Sequence, residues 1–198
     1  TDLTIFSEHV TGSGFDQMSY VMDPDSVIWI RRVDGTLAAC TYEREQEVIA
    51  WHRHELGGTA TSVDSIVSIS GVDGDEIYVS VARTIGGSTV KALEVLSAEF
   101  RDTTDKADGV FLDSAVTYSG SSTTTVSGLM HLEGQTVDFL SNGNVERGKV
   151  VTSGRVTLDR ATTKAIIGLR YTTVIETTDI EAGARAGTGQ SRPKKLSQ

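Results

Sequence analysis

The chain has 198 residues, of which 38% are hydrophobic, and it carries 27 acidic against 18 basic side chains, for a formal net charge of -9. That hydrophobic share is enough for a packed core and excludes a disordered protein, while the acidity argues against a groove binder that works by neutralising phosphates. Twenty glycines against two prolines, among many Thr, Ser and Val, favour strands joined by tight turns, so the expected class is all-β with no long helix.

In chain order, the first 17 residues are polar, with one expected strand at Leu3 to Phe6 followed by a loop. Met18 to Met22 reads as a strand ending at the Asp23-Pro24-Asp25 turn. The run from Ser26 to His54 then reads as a meander: Val27 to Val33, a hairpin at Asp34-Gly35, Thr36 to Tyr42, a charged turn, and Val48 to His54. Trp29 and Trp51 are expected to be largely buried between sheets, because an indole contributes a large apolar area to a core. Cys40, the single cysteine, lies in an alternating run and reads as a small buried thiol in a chain that uses no internal disulfide.

Gly57-Gly58 breaks the pattern, and a second unit begins near Thr61. It comprises Ile66 to Ser70, a turn at Val72 to Asp75, Glu76 to Thr84, a turn at Gly86-Gly87, and Thr89 to Leu96. This unit copies the first: Trp29 lies over Tyr78 and Asp34-Gly35 over Gly86-Gly87. The offset of about 50 residues is in the range of propeller blades. Glu99 to Asp108 is charged and reads as a linker. After it come strands at Gly109 to Tyr118, Thr124 to Val126, Thr136 to Leu140, Val145, Lys149 to Thr152, Arg155 to Leu158 and Ala165 to Ile175, with a turn at Ser141 to Asn144. Short strands with turns at that spacing suggest a small barrel or sandwich. The expected organisation is a propeller-like domain over 1–105, a small β-barrel or sandwich over 106–180, and an extended arm over 181–198.

Few residues suggest chemistry. Strand alternation puts His52 and His54 on one face and Trp51 and Arg53 on the other. A third metal ligand is missing around the two imidazoles, so no metal is expected there. Asp73 to Glu76 resembles the start of a calcium loop but lacks its later ligands. No G-x-S-x-G elbow or phosphate loop is present, and Glu43, Glu45 and Glu47 read as a solvated turn, so neither an enzyme nor a cofactor is expected. The residues singled out, Trp29, Asp34, Gly35, Trp51, His52 and His54, are structural candidates.

Taken together, DGTLAACTYEREQEVIAWHRHELGG, GVDGDEIYVSVART, GLMHLEGQTVDFLSNGNV and the RYTTVIETTDIEAGARAGTGQSRPKK ending resemble the tail nozzle proteins of short-tailed phages, also called tail tubular protein B or stabilisation protein. The resemblance runs from about Asp16 to Lys195. It implies propeller-like and barrel domains, no catalytic residues, and a structural virion protein forming hexameric rings in the phage tail. Such rings meet adaptor and fibre proteins, pass DNA without gripping it, and are assembled in the cytoplasm of the bacterial host. Family members continue well past the position of Gln198, which implies a fragment. The competing expectation is a binding module that recognises a host glycan or protein through Trp29, Trp51, Tyr118 and Tyr171.

Overall fold

A computed structural model describes residues 2–5, 7–98, 100 and 105–175. The arm at 181–198 and half of the linker at 99–108 lie outside these residues. The protein is all-β, and its described strands form three antiparallel sheets. Among the described residues the longest helix is α1, Glu8–Thr11, and none is long and apolar enough to cross a membrane.

The first sheet is a four-stranded meander of β1 (Phe15–Val21), β2 (Val27–Arg32), β3 (Leu37–Glu43) and β4 (Val48–His54), in that order. The β2-β3 loop closes on Gly35 at φ +81, a conformation that glycine adopts without steric cost, and Asp34 Oδ1 accepts from Thr36 N at 3.0 Å and from Thr36 Oγ1 at 2.6 Å. The second sheet is a three-stranded meander of β5 (Ser62–Ser70), β6 (Asp75–Ile85) and β7 (Ser88–Val95). Gly86 and Gly87, at φ +57 and +82, make its tight hairpin.

Register fixes which side chains share a face. In the first sheet one face carries Ser19, Val21, Trp29, Arg31, Leu37, Ala39, His52 and His54. The other carries Met18, Tyr20, Ile28, Ile30, Ala38, Cys40 and Trp51. The first of these faces packs on the second sheet, where Val21 and Leu37 form one core with Val63, Ile66, Ile77, Val79 and Val81. The opposite face of the first sheet is partly covered by α1, whose Val10 packs with Ile30 and Ala38.

The third sheet has the order β10-β9-β11-β8, from β8 (Asp113–Ser127), β9 (Thr136–Ser141), β10 (Asn144–Val150) and β11 (Arg155–Leu169). Between the Thr157↔Thr125 and Thr162↔Thr123 pairs, β11 uses more residues than β8, so the long pair bends there. The bend brings Asp159 to β10, where its N–H donates to Glu146 Oε2 at 3.0 Å and its carboxylate pairs with Lys149 at 2.5 Å. Phe139, Leu129, Leu132, Leu158, Ile167 and Leu169 are the large side chains of its core.

Several expectations need correction. Leu3 to Ile5 form no strand, with Leu3 C=O accepting from Trp51 Nε1 at 2.9 Å, and α1 stands where a loop was expected, its first turn closed by Val10 N–H and Thr11 N–H on Ser7 O. The separate strands expected at 109–118 and 124–126 are one 15-residue strand, as are 155–158 and the start of 165–175, which ends at Leu169. Bulges, which alternation cannot register, keep these strands continuous through polar stretches. The third sheet is open, with β10 and β8 as its two edges, and is not a closed barrel. Trp29 and Trp51 are both partly buried, but only Trp29 packs on the core between the first two sheets; Trp51 lies on the opposite face of the first sheet, against Phe15 and the Val10 cluster.

Candidate functional site

The residues that do the most structural work lie where the sheets meet. Strand β5 is an edge strand, and an unpaired edge invites aggregation unless it is covered. Here it is covered by side chains and by one turn of the first sheet. Gln17 on β1 acts as a surrogate peptide, donating from Nε2 to Ile66 O at 2.8 Å and accepting from Ile66 N at 3.0 Å. Ser19 Oγ accepts from Ser68 N at 2.7 Å. Val63 is served by the hairpin side: its N–H donates to Gly35 O at 2.7 Å and its C=O accepts from Arg31 Nε at 2.6 Å. Asp34-Gly35 is therefore a dock as well as a turn, and a Cβ at position 35 would stand 3.0 Å from the Ser62 side chain. The carboxylate of Asp34 lies below its ordinary range: burial acts to raise it, but the Thr36 hydrogen bonds and the nearby Arg32 outweigh that.

The histidines are beside this dock. His52 Nδ1 and His54 Nε2 are 2.6 Å apart, and the Trp29 ring lies 4.8 Å from that of His54. Burial holds both imidazoles toward the neutral form, and for His54 the added repulsion of His52 brings the value down to about 4. A cavity of about 180 Å³ opens next to His54, lined in part by Gly35, Thr36, Leu56, Gly58 and Val63. Two converging nitrogens could offer a metal two ligands. No group of three or more His, Cys, Asp and Glu side chains suited to a metal occurs among the described residues.

Trp51 faces the other way, stacked on Phe15 at 6.0 Å with its Nε1–H on Leu3 O. Cys40 is fully buried on the same face as Trp51, and burial pushes its thiol up.

Sequence reasoning missed the second junction. Arg83, 3% exposed, ion-pairs through both terminal nitrogens with the carboxylate of Glu94 and donates from Nε to Gly57 O at 2.8 Å. Gly57 N–H in turn donates to Asp113 Oδ2 at 2.5 Å, which ties the third sheet to the loop between the first two. A Cβ on Gly57 would stand 2.5 Å from Arg170 O, so only glycine lets these backbones approach. Burial raises the carboxyl of Asp113, with Gly57 N–H and Arg83 opposing. The available signal was Arg83 itself, a cation on the Ile77, Val79, Val81 face of an apolar strand, where an unpaired charge would be prohibitive.

On the third sheet, Thr125, Lys149, Thr152, Arg155, Thr157 and Asp159 line an open polar trough of about 510 Å³. Neither a family model nor a curated protein matches the chain.

Proposed function

We propose that the protein is a structural subunit of a phage tail, one element of a ring-shaped nozzle through which DNA is ejected, without catalytic activity of its own. The observation that carries this reading is the way the three sheets are tied together. Gln17, Gly35, Arg31, Gly57, Arg83 and Asp113 all serve contacts between sheets, so the polar side chains are invested in a stiff body. The stretches that carry the family resemblance support it: TYEREQEVIAWHRH forms most of the β3-β4 hairpin, and GLMHLEGQTV supplies the buried Leu129, Leu132 and Val137 of the third sheet. A wall of acidic subunits would repel passing DNA, since each Lys or Arg set against a phosphate adds affinity that slows transit. Gold-labelled antibody against the chain is expected to decorate the tails of virions. Label confined to capsids, or its absence from particles, would refute the reading.

The polar trough favours a second reading, a module that binds a host glycan. It lacks the aromatic platform expected of such a site: Trp29, Trp51 and Tyr118 pack against cores, leaving only Tyr171 exposed among the four expected anchors. Glycan-array binding abolished by Arg155→Ala would favour this reading over the first.

A further inference from the structure

The first three strands of the first sheet and the three of the second are both antiparallel meanders whose registers can be laid over one another, and the comparison bears on a surface that the fold leaves open. Pairing β1-β2-β3 with β5-β6-β7 by register, the row Ser19, Trp29, Ala39 corresponds to Val67, Tyr78, Val95, and Val21 and Leu37 correspond to Ile69 and Leu93. In the first sheet this face is covered by the second sheet, and Val21 and Leu37 are buried. In the second sheet the equivalent face is bare: Val67, Ile69, Leu93 and Val95 are 48%, 52%, 73% and 50% exposed. A cluster of this kind on a strand face marks an interaction surface rather than scattered apolar exposure.

The repeat also indicates what fits there. The surface that covers the first sheet is the Ile66, Ile77, Val79 face of the second. Its counterpart in the first sheet is the face bearing Met18, Ile28 and Ile30. On that face Met18, Tyr20 and Ile49 are exposed, as is Met22 just past the end of β1. The two open faces cannot meet within one molecule, because the first sheet already occupies the opposite side of the second. We propose that they meet between molecules: the outer face of the second sheet, centred on Leu93 and Tyr78, docks on the Met18, Tyr20, Met22 side of a second copy's first sheet, beside the part of that face that α1 covers. Such a contact is heterologous, so it propagates from copy to copy, closing into a ring or extending as a filament. The inference stands on the repeat and not on the tail reading, to which it would supply a subunit contact.

Sedimentation of the purified chain tests it. With a net charge of -9 per copy, repulsion opposes assembly at low salt, so the experiment is run in 0.5 M NaCl, about where exposed charges are screened. The wild type is expected to show a mass that grows with concentration up to about 200 µM. Leu93→Asp and Met22→Asp, both at exposed positions, should each weaken association at least about tenfold while keeping the wild-type circular dichroism and melting profile, as a loss of roughly 1.4 kcal/mol or more requires. An equimolar mixture of the two variants retains one intact face of each kind and should form a 1:1 dimer and nothing larger. A wild type that stays monomeric, variants that assemble like the wild type, or a mixture that stays monomeric would each overturn the proposal. A monomeric wild type would leave antibody labelling of virions to decide the tail reading separately. Should Met22→Asp melt early, Tyr20→Asp on the same face takes its place.

Discussion

Acid should loosen the protein through His54 in a defined pH window. The folded protein resists protonating this imidazole, first because it is buried and second because His52 stands beside it, so its value falls from 6.5 to about 4. The unfolded chain takes the proton near the ordinary value. Between those two pH values the unfolded state therefore binds more protons, and stability rises with pH. The gap corresponds to about 3 kcal/mol in full, and about 2.5 kcal/mol of it is lost between pH 7 and pH 4.5. Carboxylates titrate in the same range, so the quantity to measure is a difference. Urea unfolding of the wild type and of His54→Gln, at half-unit steps from pH 7.5 to 4, isolates the His54 contribution as the difference in slope. Glutamine retains a polar partner for His52 and removes the titrating group. The wild type should lose about 2 to 3 kcal/mol more than the variant across the window. Parallel stability curves would show that His54 is neutralised neither by burial nor by its neighbour.

Arg83→Ala leaves Glu94 half-buried without its cation and Gly57 O without its donor, and should cost about 3 to 5 kcal/mol in chemical denaturation. Gln17→Leu keeps the volume but strands both Ile66 backbone groups, which should cost about 2 to 4 kcal/mol and increase aggregation as the β5 edge is uncovered. Asp113→Asn retains an acceptor for Gly57 N–H and removes a charge that burial disfavours. Because the folded carboxyl is raised, its ionisation weakens the fold as pH increases, so the variant should match or exceed the wild type at pH 7 and lose that advantage at pH 3, read from thermal melts.

Local signals carried the first half of the molecule. Alternation and the glycine turns at Asp34-Gly35 and Gly86-Gly87 placed β2, β3, β4, β6 and β7 to within a few residues. Those signals are short-range. The third sheet was legible in its Asn142-Gly143 hairpin and illegible in its long strands, since a bulge between Thr157 and Thr162 leaves no periodic mark. The segregation of His52 and His54 from Trp51 followed from strand periodicity alone. That the two imidazoles would be desolvated did not, because it depends on how the first sheet is placed over the second. Gln17 and Asp113 were invisible for the same reason: each acts on a backbone about 50 residues away, and polar residues carry no mark of their partner.

We propose that this three-sheet body is a repeated wall element of a tail tube. A cryo-electron microscopy reconstruction of the tail, resolved to strands, tests it most directly. The expected density matches the two stacked meanders and the open third sheet, repeated around the tail axis with the Leu93 face against a neighbouring copy. A tail whose ring density cannot accommodate these sheets, or one in which the chain appears as a single peripheral copy, would contradict it.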